Sequence, residues 1–171
     1  RPLHEALPFQ LTGAQARVLR EIYADMTSPR RMSRLLQGDV GSGKTVVALF
    51  AMLLAVEGGR QAALMVPTEI LAEQHARKMG EMVAPLGLEV ELLSARLTGA
   101  VRRAAVERIR TGEARLVVGT HALIQDAVSF HALGLVVVDE QHRFGVRQRM
   151  ALSEAGGGGV DALVMSATPI P

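Results

Sequence analysis

The chain has 171 residues, 49% of them hydrophobic, 3% aromatic and 21% charged, with no cysteine and a formal net charge of +2. That suffices for one packed domain with an aliphatic core, and it excludes a disulfide scaffold, thiolate metal sites and a disordered chain. No apolar run approaches the ~18 residues of a membrane span and no charged-then-apolar leader is readable, while seventeen arginines against two lysines permit a nucleic-acid partner without demanding one.

In chain order, the spacing of apolar residues predicts a helix over 13–26, turned by "TSPRR" (27–31), and then a strand "RLLQ" (34–37). A helix over 44–57 leads to the strand "AALMVP" (62–67), and a helix over 69–83 leads to "EVELLS" (89–94). In that helix Ile70, Leu71, Met79, Met82 and Val83 are expected to form the apolar stripe, with Glu73, Arg77, Lys78 and Glu81 on the solvated side. A helix over 98–111, carrying Arg102, Arg103, Arg108 and Arg110 as a solvated basic face, precedes the strands "RLVVGT" (115–120) and "LGLVVVDE" (133–140). A helix over 143–155, a flexible "GGGG" (156–159) and the strand "ALVMSAT" (162–168) complete the series. Most of the strands are continuous apolar runs, as parallel strands covered on both faces should be. The alternation reads as a doubly wound α/β sheet in one domain over 1–171. The chain opens at Arg1 and stops at "ATPIP", which leads us to expect a piece of something longer.

Between the first strand and its helix stands "LLQGDVGSGKT" (35–45). Gly38, Gly43, Lys44 and Thr45 fit G-x-x-x-x-G-K-[ST] in the strand–loop–helix setting that pattern requires. Glycines let successive N–H groups, with Gly41 and Ser42 among them, turn into one concavity that with the helix N-terminus attracts phosphate oxygens. Lys44 adds a charge for the β- and γ-phosphates and Thr45 a hydroxyl for Mg²⁺. A second acidic motif should then end a buried strand, and Asp139 and Glu140 do so after Val136–Val138. Asp139 would hold the metal and Glu140 would orient the attacking water. A guanine-reading N-K-x-D is absent, since the only other lysine is Lys78 in "RKMG", and small-molecule kinases usually lack a Glu beside the metal-holding Asp. The five histidines show no paired metal spacing, so no protein-held metal is expected.

"GDVGSGKT", "DEQH" and "SAT", in this order, resemble motifs I, II and III of superfamily 2 helicases, and "FQLTGAQ" (9–15) resembles their adenine-reading Q motif. "MVPTEILAEQH" (65–75) and "VGTHALIQ" (118–125) are similar to the DNA-contacting motifs Ia and Ib. "DEQHRFGVRQR" followed by "SATPIP" narrows the resemblance to the RecG branch, bacterial fork-remodelling ATP-dependent DNA helicases. Transcription-repair coupling translocases (Mfd) share "GDVG-GKT" and "HRFGV" but typically carry DEEH where Gln141 stands here.

The resemblance implies a RecA-like P-loop NTPase domain, a mostly parallel sheet with helices on both faces, using ATP and Mg²⁺. It implies that Gln15 reads adenine with Phe9 packed beside the base, although Thr12 to Gln15 also spell a helix capping box, T-x-x-Q. It implies that Gln141 and His142 meet Ser166 and Thr168 to couple the γ-phosphate to the DNA face. Pro67, Thr68, Glu69, Thr120 and His121, all in strand-end loops, would contact the DNA backbone; from the residues alone, "PTE" could equally cap a helix. Arg143, Arg147 and Arg149 are candidates for either coupling or DNA contact. The implied partners are branched or duplex DNA and the remaining domains of a longer chain, in a bacterial cytoplasmic monomer. A lobe lacking motifs IV to VI lacks the arginine fingers of its second lobe, so on its own it is expected to bind Mg·ATP weakly and turn over slowly. The alternatives are the same lobe of an Mfd-like translocase, or a nucleotide-dependent binding module without motor activity.

Overall fold

The computed structural model describes residues 17, 20–24, 33–37, 43–120, 128–139 and 161–166. Residues 20–24 are helical (α1), followed by β1 (Ser33–Gln37), α2 (Gly43–Glu57), β2 (Gln61–Met65) and α3 (Glu69–Val83). A 3-10 turn (Ala84–Leu86) leads to β3 (Val90–Leu93), α4 (Gly99–Thr111), β4 (Leu116–Gly119), β5 (Leu133–Asp139) and β6 (Asp161–Ser166). The six strands form one sheet in the order β1-β6-β5-β2-β4-β3, and every pairing is parallel. The expected helix over 143–155 and the run 156–159 lie outside the described residues.

Burial on both faces explains why the central strands read as unbroken apolar runs. Ala62, Leu64 and Val66 face one core with Leu116, Val118, Leu135, Val137 and Leu163, against α2 and α3. Ala63 and Met65 face the other with Leu93, Val117, Val136 and Val138, against Ala105 and Ile109 of α4. The two-residue period of a strand thus feeds two cores at once. Helix α2 is apolar nearly all round, with Val47 to Leu53, Ala55 and Val56 buried, and Ile22 of α1 shares its cluster. Such a helix is stable only when covered on more than one side. Edge strand β3 is half-buried along most of its length, so it alone alternates with glutamates.

Two expectations are corrected here. Ile70 is 59% exposed rather than part of the α3 stripe, which is made by Ala72, Met79 and Val83 with Leu71, Ala76 and Met82 at its margins. Ile70 precedes Ala72 by two positions, which at about 100° per residue turns it to the opposite side of the helix. The basic face of α4 is solvated as expected at Arg103 and Arg110 but only partly so at Arg102 and Arg108. Arg108 clasps Glu91 of β3 with two parallel hydrogen bonds, Arg110 pairs with Glu107 one turn back, and Arg102 donates to the Ser94 carbonyl at 3.2 Å. An arginine fork matched to a carboxylate holds edge strand and helix together.

At the amino end of the sheet, the buried Gln61 joins three segments. Its Nε2 donates to the carbonyls of Ile109 (2.9 Å) and Ala114 (2.7 Å), and its Oε1 accepts the Ala132 N–H (2.9 Å). The end of α4 and the starts of β4 and β5 are therefore satisfied by one side chain. Gly112 closes α4 at φ 87° in the left-handed region, and a Cβ there would meet the His131 ring at 3.0 Å. Only glycine combines that turn with that approach.

Candidate functional site

The carboxyl ends of parallel strands are where α/β sheets take ligands, and strand register decides which loops share that edge. Gln37 of β1 lies opposite Ser166 of β6, and Met165 of β6 lies opposite Asp139 of β5. The phosphate loop, the serine of "SAT" and the acidic strand end therefore leave from three adjacent strands, with loop and acid two strand spacings apart, ~10 Å. Helix α2 begins at Gly43, so Lys44 and Thr45 occupy its first turn. The first turn of a helix offers N–H groups and the positive end of the helix dipole, and none of the residues of this turn is acidic. Oxygen donors of the type Thr45 and Asp139 carry suit a hard, partly hydrated Mg²⁺.

The other half of the same edge is built around Glu69. Thr68 caps α3, its hydroxyl accepting the Leu71 N–H at 3.2 Å. The next residue, Glu69, reaches across two loops. Its carboxylate accepts hydrogen bonds from the Ser94 hydroxyl after β3, from the Ala95 N–H at 3.2 Å, and from the Thr120 hydroxyl after β4 at 2.9 Å. Ser94 and Thr120 are both buried, so these hydroxyls are tethers and not free surface groups. Partial burial pushes the Glu69 carboxyl up, but hydrogen bonds from Ser94, Thr120 and Ala95, with the Arg96 charge, outweigh it and hold it below the ordinary range.

A prediction follows from the sign of that shift. A carboxyl titrating lower in the folded than in the unfolded state adds stability above its unfolded value, about 4.3. That stability is lost as pH falls through the folded value. Glu69→Gln is therefore expected to cost about 1–2 kcal/mol at neutral pH, a gap that narrows as urea midpoints are followed down through pH ~5 to ~3. A gap independent of pH would show that the carboxylate charge is not what ties the loops.

Of the anticipated site residues, Gly43, Lys44, Thr45, Asp139 and Ser166 are placed by α2, β5 and β6 on the β1-β6-β5 half of the edge, and Pro67, Thr68, Glu69 and Thr120 on the Glu69 half. Phe9, Gln15, Gly38, Gly41, Ser42, Glu140, Gln141, His142, His121 and Thr168 lie outside the described residues, as do Arg143, Arg147 and Arg149. Sequence reasoning passed over Ser94 and its turn. The available signal was positional: Ser94 follows an apolar strand directly, as Thr120 does.

The DEAD/DEAH box helicase family profile matches residues 12–171. The chain is 58% identical over 167 residues to the ATP-dependent DNA helicase RecG of Bacillus subtilis (strain 168), covering 98% of this chain and 24% of that protein. It is 54% identical over 169 residues to RecG of Escherichia coli (strain K12), covering 97% and 24%. It thus spans about a quarter of the length of these curated relatives. A solved structure of RecG bound to a three-way DNA junction superposes with a TM-score of 0.85 at 49% identity, over 99% of this chain and 22% of that one. The DUF1998 helicase MrfA shares the fold, with a TM-score of 0.72 at 17% identity over 95% of this chain and 28% of that one.

Proposed function

The chain belongs to the DEAD/DEAH box helicase family, and from that premise we propose that it is the ATP-binding motor lobe of a RecG-like DNA helicase. In this reading ATP hydrolysis is coupled to translocation on duplex DNA and to remodelling of stalled forks and four-way (Holliday) junctions. The observation that carries it is the shared edge. Strands β1, β6 and β5 deliver the phosphate loop and the acidic motif, and strands β2, β4 and β3, next in the same sheet, deliver the loops tied by Glu69.

On the nucleotide half, Gly38 to Thr45 cradle the phosphates, Lys44 balances charge on the β- and γ-phosphates, and Phe9 and Gln15 receive adenine. Thr45 and Asp139 would hold Mg²⁺, which would supply positive charge against the phosphates. Glu140 accepts a hydrogen bond from the attacking water and aligns it with the γ-phosphorus. Gln141 and His142 continue from β5, and Ser166 and Thr168 from its neighbour β6, so changes at the γ-phosphate reach two adjoining strand ends together. On the other half, Pro67, Thr68 and His121 meet the DNA backbone, and Glu69, tied to the buried Thr120 hydroxyl, fixes the spacing between their loops. Contacts of this type position the duplex without reading its sequence. Arginine fingers come from the remaining domains of the full-length bacterial protein, a cytoplasmic monomer; such a finger raises turnover by ~10³ to 10⁵.

The test is strand rearrangement on a synthetic stalled fork by the full-length protein. ATP-dependent conversion of the fork into re-annealed parental duplex, and loss of conversion in Thr68→Ala with Thr120→Val, are expected. Failure to rearrange any branched substrate while ATP is hydrolysed would overturn the reading.

A further inference from the structure

Beyond the residues assigned above, one loop on the Glu69 half has no role. The turn after β3 is held from three directions. Glu69 binds Ser94 and Ala95, Arg102 donates to the Ser94 carbonyl, and the Arg96 N–H donates to the Ser94 hydroxyl at 3.1 Å. A turn so held presents its exposed side chains from a fixed base. The outermost is Arg96, 61% exposed, whose guanidinium pairs with Glu73 at 2.8 Å. Glu69 and Glu73 stand four residues apart and so share one face of α3. One anchors the backbone of the turn and the other holds its guanidinium.

We propose that Arg96 is a phosphate-binding residue of the DNA track, held by Glu73 in the absence of DNA and released to a backbone phosphate when duplex occupies this edge. The inference rests on the DNA-motor reading above. An exposed ion pair through a single nitrogen contributes little and is screened by salt. A DNA phosphate offers the planar fork of arginine a better partner, and its neutralisation releases condensed counterions, which a protein carboxylate cannot do. Because the turn is already fixed, the exchange costs no loop ordering. Glu73 acts as an internal competitor that lowers affinity for stray anions.

The experiment is fluorescence-anisotropy binding of the full-length protein to a labelled forked duplex, followed across a salt series. Arg96→Gln should weaken binding and reduce the slope of log K against log[salt] by about 1, while Arg96→Lys restores most of the slope. Glu73→Gln should strengthen binding by up to about fivefold at low salt, and the double variant Glu73→Gln with Arg96→Gln should behave as Arg96→Gln alone. An unaltered slope in Arg96→Gln, with normal binding by the unsubstituted protein, would overturn this inference and leave the motor reading standing. No binding by the unsubstituted protein would sink both.

Discussion

Replacing Lys44 by Ala or Glu140 by Gln in the full-length protein is expected to lower ATP turnover by about 10²- to 10³-fold, the usual cost of removing one group that acts on transition-state charge. The two losses should differ in kind. In the proposed reading Lys44 meets the phosphates in ground and transition states alike, so Lys44→Ala should raise KM or abolish nucleotide binding as well as lowering kcat. Glu140→Gln keeps the size of the side chain and, in the proposed reading, removes only the proton acceptor for the attacking water. Nucleotide affinity should stay near its original value while kcat falls, and bound ATP should persist uncleaved. Steady-state kinetics with a nucleotide-binding titration separates the two. A Glu140→Gln variant with unchanged kcat would remove Glu140 from the chemistry and leave the acidic motif as a solvated strand exit.

The largest structural effect is expected at the opposite end of the sheet. Gln61→Leu conserves volume but strands the carbonyl of Ala114 and the N–H of Ala132 and leaves the Ile109 carbonyl with only the Gly112 N–H that caps α4. Each buried polar group left without a partner costs about 1–3 kcal/mol, and partial hydration would relieve some of that. A net loss of about 3 kcal/mol is expected, lowering Tm by about 6–12 °C for a cooperative unit of this size. Gln74→Leu, on the exposed side of α3, is the control and should move stability by no more than about 0.5 kcal/mol. Equal melting of both variants would mean that water replaces Gln61 at no cost.

These two sites mark how differently the sequence discloses function and architecture. The helix start at Gly43 and the strand end at Asp139 were legible because the patterns around them demand a particular setting, glycines before a lysine and carboxylates after an apolar run. The strands were legible for a similar reason, since burial on both faces erases the alternation that a half-exposed strand would show. Gln61 was not legible: a polar residue at the head of a strand has the same pattern whether it caps the sheet in solvent or joins three segments inside it. Ile70 misled because it is apolar and adjoins Leu71, although the helical period set by Ala72, Met79 and Val83 turns it to the opposite side. Glu69 was legible as a strand-end residue but not as a tie, because its partners Ser94 and Thr120 lie 25 and 51 residues away. Only the strand order β2-β4-β3 brings them to it.

The central claim is that one sheet edge serves ATP on one half and DNA on the other, with the two halves coupled through adjoining strand ends. The most direct measurement is steady-state ATP hydrolysis by the full-length protein with and without a synthetic branched DNA. The account predicts a rate that rises strongly with branched DNA and a rise that Glu140→Gln abolishes. An identical rate with and without DNA, in a protein that still binds ATP, would contradict it and leave a nucleotide-dependent binding module in place of a motor.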